Sequence, residues 1–258
     1  MANHGVALLL AILTWWFSTG LVLMLCALPK KTFAWSMIGA SLVLAAAVYG
    51  LAHSAWETGP GAPYVAFLSA LGVWGWIEMS FLMGIVTGPR TMPCPENAQG
   101  WPRFQMALQA LLYHELMIVF WAGLIVMLTW RAPNQIGTFA FLILMAMRIS
   151  AKLNIFLGVP NLTDEFLPQR LVYLKSYFRK GQISSLFPAT VGAAALVAIF
   201  LAQKAWGASG AEASGFALLF SLIALAILEH LFMVFPIPDA VLWRWAFPAP
   251  KQGEKNWP

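Results

Sequence analysis

The sequence predicts an all-α polytopic membrane protein of seven transmembrane helices, with a periplasmic N-terminus and a cytoplasmic C-terminus. Three observations predict it. Apolar residues make up 60% of the 258 and charged ones only 10%, with a mean hydropathy of +0.75, a balance outside that of soluble domains. Apolar stretches long enough to cross roughly 30 Å of hydrocarbon recur seven times. The Lys and Arg residues, finally, gather on alternate connections.

The spans read as 5–28, 35–55, 63–88, 105–130, 135–157, 184–205 and 214–235. The first lacks a basic leader and is too long for a signal peptide, so it is expected to be retained. Its TWWFSTG segment places Trp15 and Trp16 near mid-membrane, where indoles pack against a helix or a ring ligand. The second span is rich in small residues (Gly39, Ala40, Ser41, Ala45 to Ala47), which let helices approach closely. The third carries Glu78, with Trp74 and Phe81 on its face, and leaves through a turn-rich loop, TGPRTMPCPENAQGWPR. The fourth holds His114 and Glu115 side by side.

The fifth span and its exit, 147–168, impose the strongest demand. Arg148 and Lys152 stand one helical turn apart inside the apolar run 137–157. Like charges at that spacing repel, and each costs about 2.5 kcal/mol or more to insert at the centre of a membrane, so anionic partners are required at the same depth. Gly158, Pro160 and Asn161 then break the helix. Beyond them, Leu167, Leu171, Leu174 and Phe178 form an apolar stripe beside Arg170, Lys175, Arg179 and Lys180. The stripe predicts a basic amphipathic helix near 168–180 lying at the cytoplasmic surface. With Asp164 and Glu165 it forms a docking region for partners or anionic lipid. The sixth span carries another small-residue face at 192–195, and the seventh ends with Glu229 and His230 adjacent. Trp243, Arg244 and Trp245 suit the tail, 238–258, to the membrane surface. The whole, 1–258, reads as one transmembrane domain.

Charge distribution sets the orientation. With seven spans, one side carries only Arg131 and Lys204, whereas the other carries Lys30, Lys31, Arg90, Arg103, Arg170, Lys175, Arg179, Lys180, Arg244, Lys251 and Lys255. The positive-inside rule makes the second side cytoplasmic. The net charge of +5 therefore follows from topology and does not point to nucleic acid. Cys26 and Cys94 fall at or near the reducing side without a metal-binding spacing.

On this topology Glu78, His114, Glu115, Arg148, Lys152, Glu229 and His230 share one buried polar layer. Three carboxylates face two cations, close to the neutrality that a membrane interior requires. Three readings stay open. The layer is a salt-bridge hub that sets helix register, or a pocket in which His114 or His230 ligates a tetrapyrrole, or a metal site that adds Glu78, Glu115 and Glu229 as ligands. The last is weakened by spacing, because bundle-borne di-iron sites use Glu-x-x-His and these pairs are adjacent. Phosphate loops, nucleophile elbows and the broken helices of many transporters have no counterpart in the sequence.

The segments TWWFSTG, WGWIEMSFLMGIVTGPR, YHEL, PNQIGTFAFLILMAMRISAKLNIFLGVPNLTDEFLP and LEHLFMVFPIPDAVLWRWA together resemble the PuhE family, photosynthetic complex assembly proteins of phototrophic bacteria. The resemblance runs nearly end to end and implies a bacterial inner-membrane protein, in the cytoplasmic or intracytoplasmic membrane. It implies a role in supplying bacteriochlorophyll to, or assembling, the reaction-centre and light-harvesting subunits. Pigment-biosynthesis enzymes are the other implied partners, and a membrane enzyme or subunit of bacteriochlorophyll or carotenoid synthesis is the alternative role. The resemblance supplies no catalytic residues.

Overall fold

The structure, a computed structural model, describes residues 4–162, 167–236 and 239–247. Seven α-helices follow in order: α1 (His4–Ala27), α2 (Phe33–Ser54), α3 (Ala62–Leu82), α4 (Gly100–Leu128), α5 (Ile136–Leu157), α6 (Leu186–Gly207) and α7 (Gly210–Phe232). Each is long and apolar enough to cross a membrane. The shortest, at 21 residues, covers roughly 30 Å at a rise of about 1.5 Å per residue. Seven such spans are those of a multi-pass inner-membrane protein.

Burial ranks the helices. Inside the bundle lie 50% of the α3 span and 56% of α7, against 11% of α2, so α3 and α7 form the centre. Phe67, Val73 and Ile77 of α3, Phe141 of α5 and Leu218, Leu219 and Leu222 of α7 fill it. Lipid is as apolar as these side chains, so close packing between helices has to supply much of the association. Ala194, Ala198, Leu201 and Ala205 accordingly line the buried face of α6 at helical spacing.

The third span stops at Leu82, six residues short of the expected 88. Gly84 takes φ = 71°, a left-handed conformation that glycine adopts without steric cost. The chain then turns back across the bundle toward α4. There the His114 backbone N–H donates to the Thr87 carbonyl at 2.9 Å. Gly88 lies so close to α4 that a Cβ would overlap backbone atoms of Gln109 and Ala110. A hydropathy pattern carries the length of an apolar run but not this reversal within it.

The segment expected to form an amphipathic α-helix is instead a 3-10 helix, Gln169–Tyr177. A period of three puts Leu171, Leu174 and Tyr177 on one side, and all three are buried against Phe81 and Ala110 rather than laid on lipid. Arg90 Nε donates to the Tyr177 hydroxyl (2.7 Å), Arg103 Nη2 to the Tyr177 carbonyl (2.7 Å), and the Cys94 N–H to Ser176 Oγ (2.8 Å). These anchors offset the weak local geometry of so long a 3-10 run. Near the C-terminus, the turn Asp239–Ala246 packs along α1. Trp243 Nε1 donates to the Trp16 carbonyl (3.0 Å), and Trp16 Nε1 to the Leu242 carbonyl (2.8 Å). The indoles of Trp15 and Trp16 thus meet the C-terminal segment.

Candidate functional site

Arg148 and Lys152 project from α5 toward α3 and α4, about 40° apart around the helix. Arg148 Nη2 donates to Glu78 Oε2 at 2.8 Å, and Lys152 Nζ donates to Glu115 Oε1 at 2.6 Å. Two cations on one helix therefore bind one carboxylate on each of two others. Counted from the helix ends opposite the basic connections, Glu78, His114 and Arg148 lie roughly 18–24 Å along their helices, past the middle of a 30 Å core. Pairing within the low-dielectric interior is what allows these charges to persist at that depth.

His114 stands beside the pairs and is fully buried. Its ring centroid is 4.4 Å from that of Phe81, and its Nε2 is 3.9 Å from Glu78 Oε1, beyond hydrogen-bond range. Both ring nitrogens, Glu78 Oε1 and Arg148 Nε are enclosed without a hydrogen-bond partner. The ring packs against Phe81, on a stretch of α4 that the His114 backbone N–H ties to the Thr87 carbonyl.

The remaining members of the expected layer do not join this cluster. Successive residues on a helix diverge by about 100°, so Glu229 and His230 cannot share a direction. His230 points inward and is 2% exposed, with Nε2 at 2.9 Å from Ser150 Oγ and Nδ1 at 2.8 Å from the Ala226 carbonyl. Glu229 turns to the bundle surface, where Trp15 Nε1 donates to its Oε1 at 2.7 Å. The layer is thus divided by α5. Arg148 and Lys152 face α3 and α4, while Ser150 and Asn154, about 200° away, face α6 and α7. Asn154 Nδ2 donates to the Ser150 carbonyl (2.9 Å) and to Thr190 Oγ1 (3.3 Å).

Sequence reasoning missed this second network. Its signal was available: Ser150 and Asn154 repeat at i, i+4 within an apolar span, on the side away from the charges. Ser150→Ala is expected to leave a buried His230 nitrogen unpaired and to cost about 1–3 kcal/mol. Thermal unfolding of the purified chain measures it.

The geometry gives a metal ion little to bind. Among the described residues no three His, Cys, Asp or Glu side chains come together as a metal-holding group, and Arg148 and Lys152 already occupy one oxygen of each carboxylate. A tetrapyrrole fits no better. Both His230 nitrogens are engaged, and the His114 ring, 0% exposed against Phe81, presents no open face to a macrocycle.

The docking residues divide as well. Arg179 and Lys180 are exposed, and the Arg179 N–H donates to the Ile155 carbonyl at 3.0 Å. Arg170 turns inward to the Cys26 and Met83 carbonyls, and Lys175 is partly buried. Asp164 and Glu165 lie outside the described residues.

Residues 1–254 match the family described as a protein of unknown function, DUF3623. The chain belongs to this family. A Rhodobacter capsulatus protein described as an uncharacterized 30.4 kDa protein in the puhA 5′ region is 38% identical over 259 residues, covering 96% of this chain and 93% of that one. That relationship bears out the resemblance to PuhE. No solved structure matches.

Proposed function

We propose that this chain is an integral-membrane assembly factor for the bacterial photosynthetic apparatus, acting on reaction-centre or light-harvesting subunits or on the delivery of bacteriochlorophyll to them. The relative from the puhA 5′ region and the PuhE resemblance support the setting. One structural observation carries the choice of a scaffold over an enzyme: the ion pairs of α3, α4 and α5 are closed on each other. A catalytic acid or base has to reach a substrate atom. Here the carboxylates of Glu78 and Glu115 are each bound by a cation, Glu78 Oε1 and the His114 ring are enclosed, and only the Glu115 side chain keeps about a fifth of its surface open.

In this reading the cluster fixes α4 against α3 and α5. The basic loops, with Arg179 and Lys180 exposed, are the surface for partners or anionic lipid. The N-terminus is periplasmic, and those loops are cytoplasmic, by the charge bias of the connections. The alternative, an enzyme or enzyme subunit of pigment synthesis, has the unpartnered His114 and Glu78 Oε1 in its favour.

Gentle purification of the full chain from a phototrophic host separates the two. Co-purification with reaction-centre or light-harvesting subunits is expected, with an absorption spectrum that His114→Ala leaves unchanged. Stoichiometric iron or zinc, or a bound pigment lost in His114→Ala, would place the chemistry inside the bundle and overturn the scaffold reading.

A further inference from the structure

A cavity of about 330 Å³ opens at the end of the bundle where the basic connections gather. It lies apart from the ion-paired cluster and does not depend on the function proposed above. Three parts of the chain build it: Lys30 from the α1/α2 turn with Phe33 at the start of α2, Thr87 and Thr91 from the loop after α3, and Arg170 and Tyr173 from the 3-10 segment. Its volume is several times the roughly 30 Å³ share of a water molecule. Among the described residues no carboxylate lines it to balance Lys30 and Arg170, and neither cation forms a salt bridge there.

Arg170 is held in place before any ligand arrives. Its guanidinium lies 4.2 Å over the Phe33 ring, and Nη2 and Nη1 donate to the Cys26 and Met83 carbonyls at 2.9 and 3.4 Å. Gly84, at φ = 71°, clears the path of the Arg170 stem, because a Cβ there would press on Arg170 Cδ. Arg170 Nε is buried without a partner, and the Tyr173 hydroxyl is buried beside Thr87. Burial raises the Tyr173 phenol above its ordinary pKa, which the nearby Thr87 hydroxyl opposes, so the group stays protonated and able to donate.

We infer that this cavity binds a phosphate group, with Lys30, Arg170 and Tyr173 as its principal donors and Thr87 and Thr91 completing the cradle. Carboxylates are usually gripped by a two-pronged Arg fork, and here both prongs already serve backbone carbonyls. Single donors converging from three connections suit a tetrahedral oxyanion, whose outward oxygens need several partners. Phe33 and Leu171 give the same cavity an apolar wall, so the phosphate can be that of a lipid headgroup as well as a free one.

The test reconstitutes the full chain in phosphatidylcholine nanodiscs, adds phosphatidylglycerol or inorganic phosphate, and counts bound ligand by native mass spectrometry. One phosphatidylglycerol per chain is expected, retained at least fivefold less by Lys30→Gln/Tyr173→Phe and undiminished in Lys31→Gln, which removes a neighbouring charge. Lys30→Gln alone, at an exposed position, serves where the double variant does not fold. Inorganic phosphate held with the same variant dependence would identify a free phosphoryl group as the ligand. Retention of neither probe, or equal loss in Lys31→Gln, would overturn the site.

Discussion

Arg148→Met should destabilise the chain by about 3 kcal/mol, the lower end of the range for breaking a buried ion pair. The lower end applies because the Arg148 side chain keeps 38% of its surface open, whereas Glu78 keeps 13%. Methionine preserves the length and apolar volume of the arginine stem, so the loss reports the charge rather than a cavity. What remains is a largely buried carboxylate without its hydrogen-bonded cation, with His114 Nε2 at 3.9 Å and Lys152, already bound to Glu115, as the nearby charge. Thermal unfolding in bilayer discs measures the effect. A melting temperature equal to that of the parent would mean that the pair contributes nothing to the bundle.

Gly88→Ala should be nearly as damaging, at about 1–3 kcal/mol, the usual range for overpacking. The added methyl would meet the Gln109 carbonyl oxygen and the Ala110 backbone, neither of which can swing aside as a side chain can. To relieve the overlap, loop and helix must part. That also breaks the hydrogen bond from the His114 N–H to Thr87 and frees the His114 ring. Increased chemical labelling of His114 in the variant, together with a lowered melting temperature, is the expected pair of results. Normal protection of His114 would show that the loop does not set its position.

Much of the bundle was legible before any coordinates, because length and hydropathy are enough to define a transmembrane helix. The need of Arg148 and Lys152 for carboxylates at their own depth was legible for a different reason. Two cations one turn apart in an apolar run demand anions at their depth, and few candidates existed. The composition of the layer was less so. Depth along a helix can be counted in residues, whereas direction around it depends on which neighbours pack where, and α7 turned His230 inward to Ser150 and Glu229 outward to Trp15. The insertion of the 83–99 loop beside His114 had no local signal at all. Gly84 lay inside the expected third span and Gly88 at its end, and neither marks a close approach until α4 is in view. The 3-10 segment failed for a related reason: Leu171 and Leu174 fit a period of 3.6 as readily as one of 3.0, and only the fixed Tyr177 decides between them.

The central claim is that opposite charges on separate helices bind each other inside the membrane. A double-mutant cycle of Glu78→Gln and Arg148→Met, followed by thermal unfolding in bilayer discs, tests it most directly. A coupling of about 2 kcal/mol is expected, within the range for directly interacting residues, with the double variant more stable than Arg148→Met alone. Strictly additive losses would show that the two side chains do not interact.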